Sequence, residues 1–238
     1  MNRLFQEIAR KIEDGTFKPG EPLPSPADLA KMFGATEAEV QVALSELIYE
    51  GLLERVRPKP TGEVRVPPYR LWGTLGGIHS ITQEARKRGQ KPGTKVLFFD
   101  FVPAWPTLAA RMQMEVGEEV IVMERLRTVD GEPVAIETSY LPAKLMPGVT
   151  KEMFEQSGSA QSSFEVMQKQ YGLVPHRATD ELTVVAVEKR EAELLGLEEG
   201  TPVLLRFRIT YSPEGVPIKS SRALWKFRAG YQMDLTEE

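Results

Sequence analysis

Apolar positions recur at helical spacing in three short stretches near the start of the chain. Leu4, Phe5, Ile8 and Ile12 form one stripe that ends before Gly15. A turn-rich segment, residues 18–24, follows. Ser25 is then placed to cap a short helix, with Pro26 at its first position and Asp28 three residues past the cap. Leu29, Ala30, Met32 and Phe33 supply its apolar side, and Gly34 stops it. Thr36 and Glu39 have the spacing of a capping box, and Val40, Ala43, Leu44, Leu47 and Ile48 repeat at helical spacing up to Gly51. Residues 52–57 and 63–66 read as two short strands around a Pro/Gly turn. Three small helices and a hairpin predict a winged helix-turn-helix over residues 1–67.

Residues 68–77 are rich in proline and glycine, lack periodicity and are expected to be a linker. The remainder, residues 78–238, contains an internal repeat. Ala109, Gly117 and Val120 recur as Ala192, Gly200 and Val203, with large hydrophobes between them. Met123-Glu-Arg125 matches Arg206-Phe-Arg208, and Asp130-Gly131-Glu-Pro133 matches Glu214-Gly215-Val-Pro217. Each half reads strand, short helix, long strand, tight turn, long strand, with Asp-Gly and Glu-Gly as the hairpin signals. A helical segment, residues 162–171, separates the halves. Two hairpin halves with segregated helices predict an α+β domain on one antiparallel sheet.

Composition narrows the chemistry. The chain has 238 residues, 41% of them hydrophobic and 27% charged, enough apolar material for a packed core. The absence of cysteine excludes disulfides, iron–sulfur clusters and thiolate zinc sites, and two histidines exclude a histidine-rich metal site. No cofactor is expected. The amphipathic, charged N-terminus has no apolar signal segment, and no stretch is long enough to span a bilayer, so a cytoplasmic protein is expected. Thirty basic residues oppose 34 acidic ones, for a net charge of -4. Residues 1–67 alone carry nine basic and eleven acidic side chains. A nucleic-acid reader ordinarily shows a basic footprint, and this segment does not.

Together these residues resemble the GntR family of bacterial transcription regulators, in its HutC-type subfamily. The N-terminal landmarks are Gly15, Lys18-Pro-Gly20, Leu23-Pro-Ser25, Leu29-Ala30, Val40, Ala43-Leu44, Leu47 and Glu50-Gly51-Leu52. The C-terminal part is similar to the UTRA effector-binding domain, whose fold is chorismate-lyase-like. Its landmarks are Gly117, Arg125-Leu-Arg127, Gly131-Glu-Pro133, Glu137-Thr-Ser-Tyr140-Leu-Pro142, Tyr171-Gly172 and Gly215-Val-Pro217. The resemblance implies a homodimer that reads a palindromic operator through its winged helix. A small effector bearing phosphate or carboxylate, bound in the UTRA domain, modulates that reading. No membrane and no catalytic role are implied.

The DNA-contact positions depart from the family pattern. Pro26-Ala27 stands where Glu-Arg is usual, and Thr36-Glu37 and Val40-Gln41 stand where Ser-Arg and Val-Arg are usual. The segment 36–50 carries Glu37, Glu39, Glu46 and Glu50 and no basic residue. Loss of phosphate-neutralising cations removes the sequence-independent part of DNA affinity. Glutamate accepts from cytosine and glutamine pairs with adenine, so Glu37 and Gln41 keep a route to base readout. The candidate DNA-contact residues are Ser25, Thr36, Glu37, Gln41, Arg55, Arg57, Lys59 and Arg65. The last four fit a wing that grips phosphate and equally a solvated hairpin surface. The alternative function is a paralogue without DNA binding that senses a ligand or a partner. A chorismate-lyase-like enzyme, with Arg125 and Glu137 as its polar set, is a third reading.

Arg125 and Arg127 are two apart on a strand and share one face, where two guanidinium forks suit phosphate or carboxylate. The resemblance implies further effector contacts at His79, Ser80, Glu137 and Ser162, and Arg222 is a further candidate from its charge. Glu137 has two placements. A simple two-residue turn at Asp130-Gly131 sets it opposite Glu124, away from the arginines, and a bulge reverses that. Thr82 is placed to cap a helix. Lys219, Arg222 and Arg177 either add charge to the pocket or stand exposed on their strands.

Overall fold

The computed structural model describes residues 3–55, 63–67, 71–74, 81–87, 89–154, 162–226 and 229–232. The chain divides into two compact units, Met1–Arg70 and Leu71–Glu238. No helix among the described residues is long and apolar enough to cross a membrane.

In the first unit, helices α1 (Arg3–Glu13), α2 (Pro26–Phe33) and α3 (Glu37–Tyr49) precede a short hairpin, β1 (Glu54–Arg55) and β2 (Val64–Arg65). The helices bury one core, with Ile8, Leu29, Val40, Ala43 and Leu47 at its centre. The capping signals act as read. The Ser25 hydroxyl accepts from the Asp28 N–H, Pro26 starts α2, and Gly34 ends it in the left-handed conformation. Thr36 and Glu39 close a reciprocal capping box on α3. β1 and β2 pair antiparallel, with Glu54 opposite Arg65. The expected turn between them, with Arg57 and Lys59, lies outside the described residues.

In the second unit, β3 (Leu71–Thr74), within the segment expected to be a linker, pairs in parallel with β10 (Ala229–Gln232). A residue pattern cannot reveal a strand whose partner lies at the far end of the chain. Helix α4 (Ile81–Lys87) leads into the first half of the repeat, β4 (Pro92–Pro103), α5 (Pro106–Met112), β5 (Glu119–Val129) and β6 (Glu132–Pro142). Two 3-10 turns and α6 (Ser163–Tyr171) follow. The second half is β7 (Arg177–Ala186), α7 (Lys189–Leu195), β8 (Pro202–Tyr211) and β9 (Pro217–Trp225). The halves meet back to back in one antiparallel sheet of order β4-β5-β6-β9-β8-β7. The repeat read from sequence thus puts β5 and β8 in equivalent places, each second from an edge.

Helices α5 and α7 cover one face through Leu108, Met112, Ala192 and Leu195. On the other face α6 packs Val166 and Met167 over Ile121, Met123 and Leu141. Between that apolar patch and the arginines further along β5, the second face is polar.

Candidate functional site

Alternation on β5 places Arg125 and Arg127 on the polar face, and both are almost fully buried, at 1% and 2% exposure. The position of Glu137 depends on a detail of the hairpin. Asp130 and Gly131 both have positive φ, 52° and 86°, as a two-residue turn with the native strand twist requires. The ladder then slips. Thr128 faces Pro133 but Arg127 faces Ala135, so Val134 is a bulge. The extra residue inverts the alternation beyond it, and Glu137 stands opposite Arg125 rather than Glu124. Of the two placements open to the sequence, the bulged one is found.

Four elements converge on this carboxylate. Arg125 donates to Glu137 at 2.8 Å, and Lys219 of β9 donates to the other carboxylate oxygen at 2.8 Å. The Arg127 guanidinium lies 4.0 Å away. The Ser163 hydroxyl, on the first residue of α6, accepts from Lys219 at 2.9 Å and from Arg125 at 3.3 Å. Arg127 donates to the Thr82 hydroxyl on α4 at 2.5 Å. The Lys219 ammonium also sits 4.9 Å from the Phe164 ring. Ser162 is buried beside them as the N-cap of α6, accepting from the Glu165 N–H.

Burial pushes the Glu137 carboxyl up. Lys219, Arg125 and Arg127 outweigh it and hold the group well below the usual carboxylate range. Burial is also the largest influence on Lys219 and brings the ammonium down to about 8. Glu137 opposes that shift, and Arg125 and Arg206 add to it. Glu137 is therefore an anion at neutral pH.

These groups line a cavity of about 30 Å³, room for roughly two waters. Arg125, Arg127, Lys219, Arg206 and Arg208 line it, with Glu137 as the carboxylate among its lining residues. Among the described residues no cluster suits a metal ion. The arrangement is a cation-lined pocket with a buried carboxylate among its lining residues.

Of the expected effector residues, Arg125, Arg127, Glu137 and Ser162 come together, and His79 and Ser80 lie outside the described residues. Arg222 does not join them. It pairs across strands with Thr138 and Phe207 on the opposite face, near Tyr140. Sitting between inward Ser221 and Ala223, it must point the other way. Of the two placements left open for Lys219, the buried one in the pocket is found, and sequence reasoning missed Ser163, Thr82, Arg206 and Arg208. The available signals were the odd-numbered parity that Lys219 shares with Ser221 and Ala223, and the repeat that aligns Arg208 with Arg125.

On the first unit, the hydroxyls of Ser25 and Thr36 are held within their caps by Asp28 and Glu39, at 2.6 and 2.8 Å. Arg65 is bridged to Glu54 at 2.8 Å, which diminishes its value as a phosphate contact. Glu37 and Gln41 are exposed on α3. Ser25, Gln41 and Arg55 line one groove of about 540 Å³.

Comparison with known proteins places both units. Residues 87–229 match the UTRA domain model, and residues 1–62 match that of bacterial regulatory proteins, gntR family. The chain is 29% identical over 225 residues to the HTH-type transcriptional repressor NagR of Bacillus subtilis, covering 94% of this chain and 89% of that one. It is 30% identical over 214 residues to the HTH-type transcriptional repressor PhnF of Mycolicibacterium smegmatis, covering 87% and 81%. The crystal structure of PhnF from Mycobacterium smegmatis superposes with a TM-score of 0.68 at 28% identity. It spans 99% of this chain and 100% of that one.

Proposed function

Since the chain belongs to the GntR family of bacterial regulatory proteins and carries a UTRA domain, we propose that it is a transcription regulator whose operator binding responds to a small anionic effector. Residues 1–67 are the reader, 78–238 the sensor, and the working form is a cytoplasmic homodimer without catalytic activity. The observation that carries the effector reading is the convergence of Arg125, Arg127 and Lys219 on one buried carboxylate. An effector phosphate or carboxylate displaces the Glu137 carboxylate from Arg125 and takes its hydrogen bond, as charge-assisted donors favour.

Isothermal titration of the full chain with methylphosphonate tests this. Saturable binding that Arg125→Met abolishes is expected, and absence of binding overturns the reading.

A second reading, a ligand sensor without operator binding, is favoured by the exposed acids of α3. Titration of a random duplex at rising salt separates the two. Affinity of micromolar order that falls steeply with salt overturns the second reading.

A further inference from the structure

The cation-lined cavity is not centred on Arg125 and Arg127. Its opposite wall is a second Arg-x-Arg, Arg206 and Arg208 of β8, the strand that the internal repeat makes equivalent to β5. Arg125, Glu137, Ala223 and Arg206 lie in one cross-strand row over β5, β6, β9 and β8. That row spans three strand spacings, roughly 14 Å between its outer backbones. One phosphate group cannot reach both walls from a single position.

The floor between the walls is cut low by small side chains, with Ser139 and Ser221 in the next row and Ala223 in this one, all buried. The Ser139 hydroxyl is fully buried and has no hydrogen-bond partner. A buried hydroxyl left unsatisfied is costly in a finished core and is ordinary in a site awaiting a polar ligand. On the far wall, Arg206 lies 4.9 Å over the Trp225 ring, which holds it flat against the cavity. Asp180 of β7 takes the Nε and Nη2 donors of Arg208 at 2.6 and 2.5 Å, fixing the side chain at the cavity wall with Nη1 outside that pair. Lys219 stands between the walls. Both arginine pairs thus line the same cavity, with Glu137 on the floor between them.

From this we infer that the pocket is a two-anion site. Arg125 and Arg127 hold one anionic group of the effector, Arg206, Arg208 and Lys219 hold a second, and a spacer of a few bonds lies over Ala223 and Ser221. The ligand class is a short molecule with a phosphate or phosphonate at one end and a carboxylate or second phosphate at the other. The inference rests on the anionic-effector reading above and names its ligand more closely.

Calorimetry on the full chain tests it with methylphosphonate as the one-ended probe and phosphonoacetate, with its propionate and butyrate homologues, as two-ended probes. At least one two-ended probe is expected to bind about ten-fold or more tighter than methylphosphonate. Arg206→Met is expected to bring that ratio toward one. If Arg206→Met does not fold, Lys219→Met takes its place. A ratio near one for all three spacers overturns the second half-site, as does a high ratio that survives in the variant. Methylphosphonate binding that still depends on Arg125 then leaves the effector site itself standing. No binding of any probe overturns both.

Discussion

Replacing Glu137 by Gln removes the carboxylate on which Arg125, Arg127 and Lys219 converge, while keeping its shape. The variant leaves those cations buried without their counter-ion. Breaking a buried pair from one side costs about 3–5 kcal/mol. Lys219 has a way out, because its proton already leaves at about 8 and leaves still more readily once Glu137 is neutral. The arginines have none, since a guanidinium stays protonated. The cost therefore falls mainly on β5. For a unit of this size it corresponds to a thermal midpoint about 6–20 °C lower. All three tryptophans, Trp72, Trp105 and Trp225, lie in the unit spanning Leu71–Glu238. Tryptophan emission during thermal or urea unfolding thus reports that unit alone.

The same substitution has an opposite effect on ligand. If Glu137 is the internal occupant of the anion site, Glu137→Gln binds methylphosphonate more tightly than the parent. Saturating ligand, at about a hundred times its Kd, then returns about 2.7 kcal/mol of the lost stability. A variant that is less stable yet binds anion better is the expected pair of results. Unchanged stability refutes the counter-ion role, and weaker anion binding assigns Glu137 to holding the ligand instead.

The remaining expectations are simpler. The folded chain releases the Lys219 proton near pH 8 and the unfolded chain near 10.5. The unfolded state binds more protons in between, so stability of the sensor unit rises across that window, by about 3 kcal/mol. Lys219→Met flattens the rise in urea titrations followed by tryptophan emission, and an equally steep rise in the variant contradicts the assignment. Thr36→Ala removes a cap rather than a DNA contact, lowering the stability of the first unit by about 1 kcal/mol in helical circular dichroism. Glu37→Arg and Gln41→Arg each steepen the salt slope for random duplex by about 0.9 wherever the new cation reaches a phosphate, measured by fluorescence anisotropy.

What the sequence disclosed was local. Thr36 and Glu39 are three apart, so their capping box is legible without any partner. Arg125 and Arg127 share a face because alternation on one strand needs nothing else. The Asp130-Gly131 turn is likewise a two-residue fact. Glu137 was undetermined because one bulged residue, Val134, decides its face, and nothing about valine announces a bulge. Lys219 was left open for a different reason. A lone lysine on a strand reads as solvated, and its carboxylate lies 82 residues away. Arg222, three residues on, falls on the reverse face for the same reason that Lys219 falls on the inner one. The repeat was visible as matched letters, but its consequence, two arginine walls facing across one floor, appears only when the halves are set back to back.

The acids of α3 do not all weigh equally against DNA reading. Glu39 is engaged by Thr36, and Glu37 and Glu39 occupy the first turn, where negative charge is favoured by the helix dipole. Glu46 and Glu50 stand at the other end, where the dipole disfavours them and no cap bond to their carboxylates closes the helix. The first-turn pair therefore has a folding reason to exist, and the last-turn pair does not. The N-terminal residues of a recognition helix are those that meet base edges. Glu37 and Gln41, one turn apart and exposed, are able to accept from cytosine and pair with adenine. Among the described residues, Arg65 of the hairpin is bridged to Glu54. Such a reader grips the backbone weakly and discriminates bases through what remains. The expected signature in a selection from random duplexes is recovery of a defined site with a salt slope corresponding to only a few phosphate contacts. A steep slope with no sequence preference refutes this reading of α3. A defined site whose recovery is unaffected by Glu37→Ala and Gln41→Ala refutes it equally.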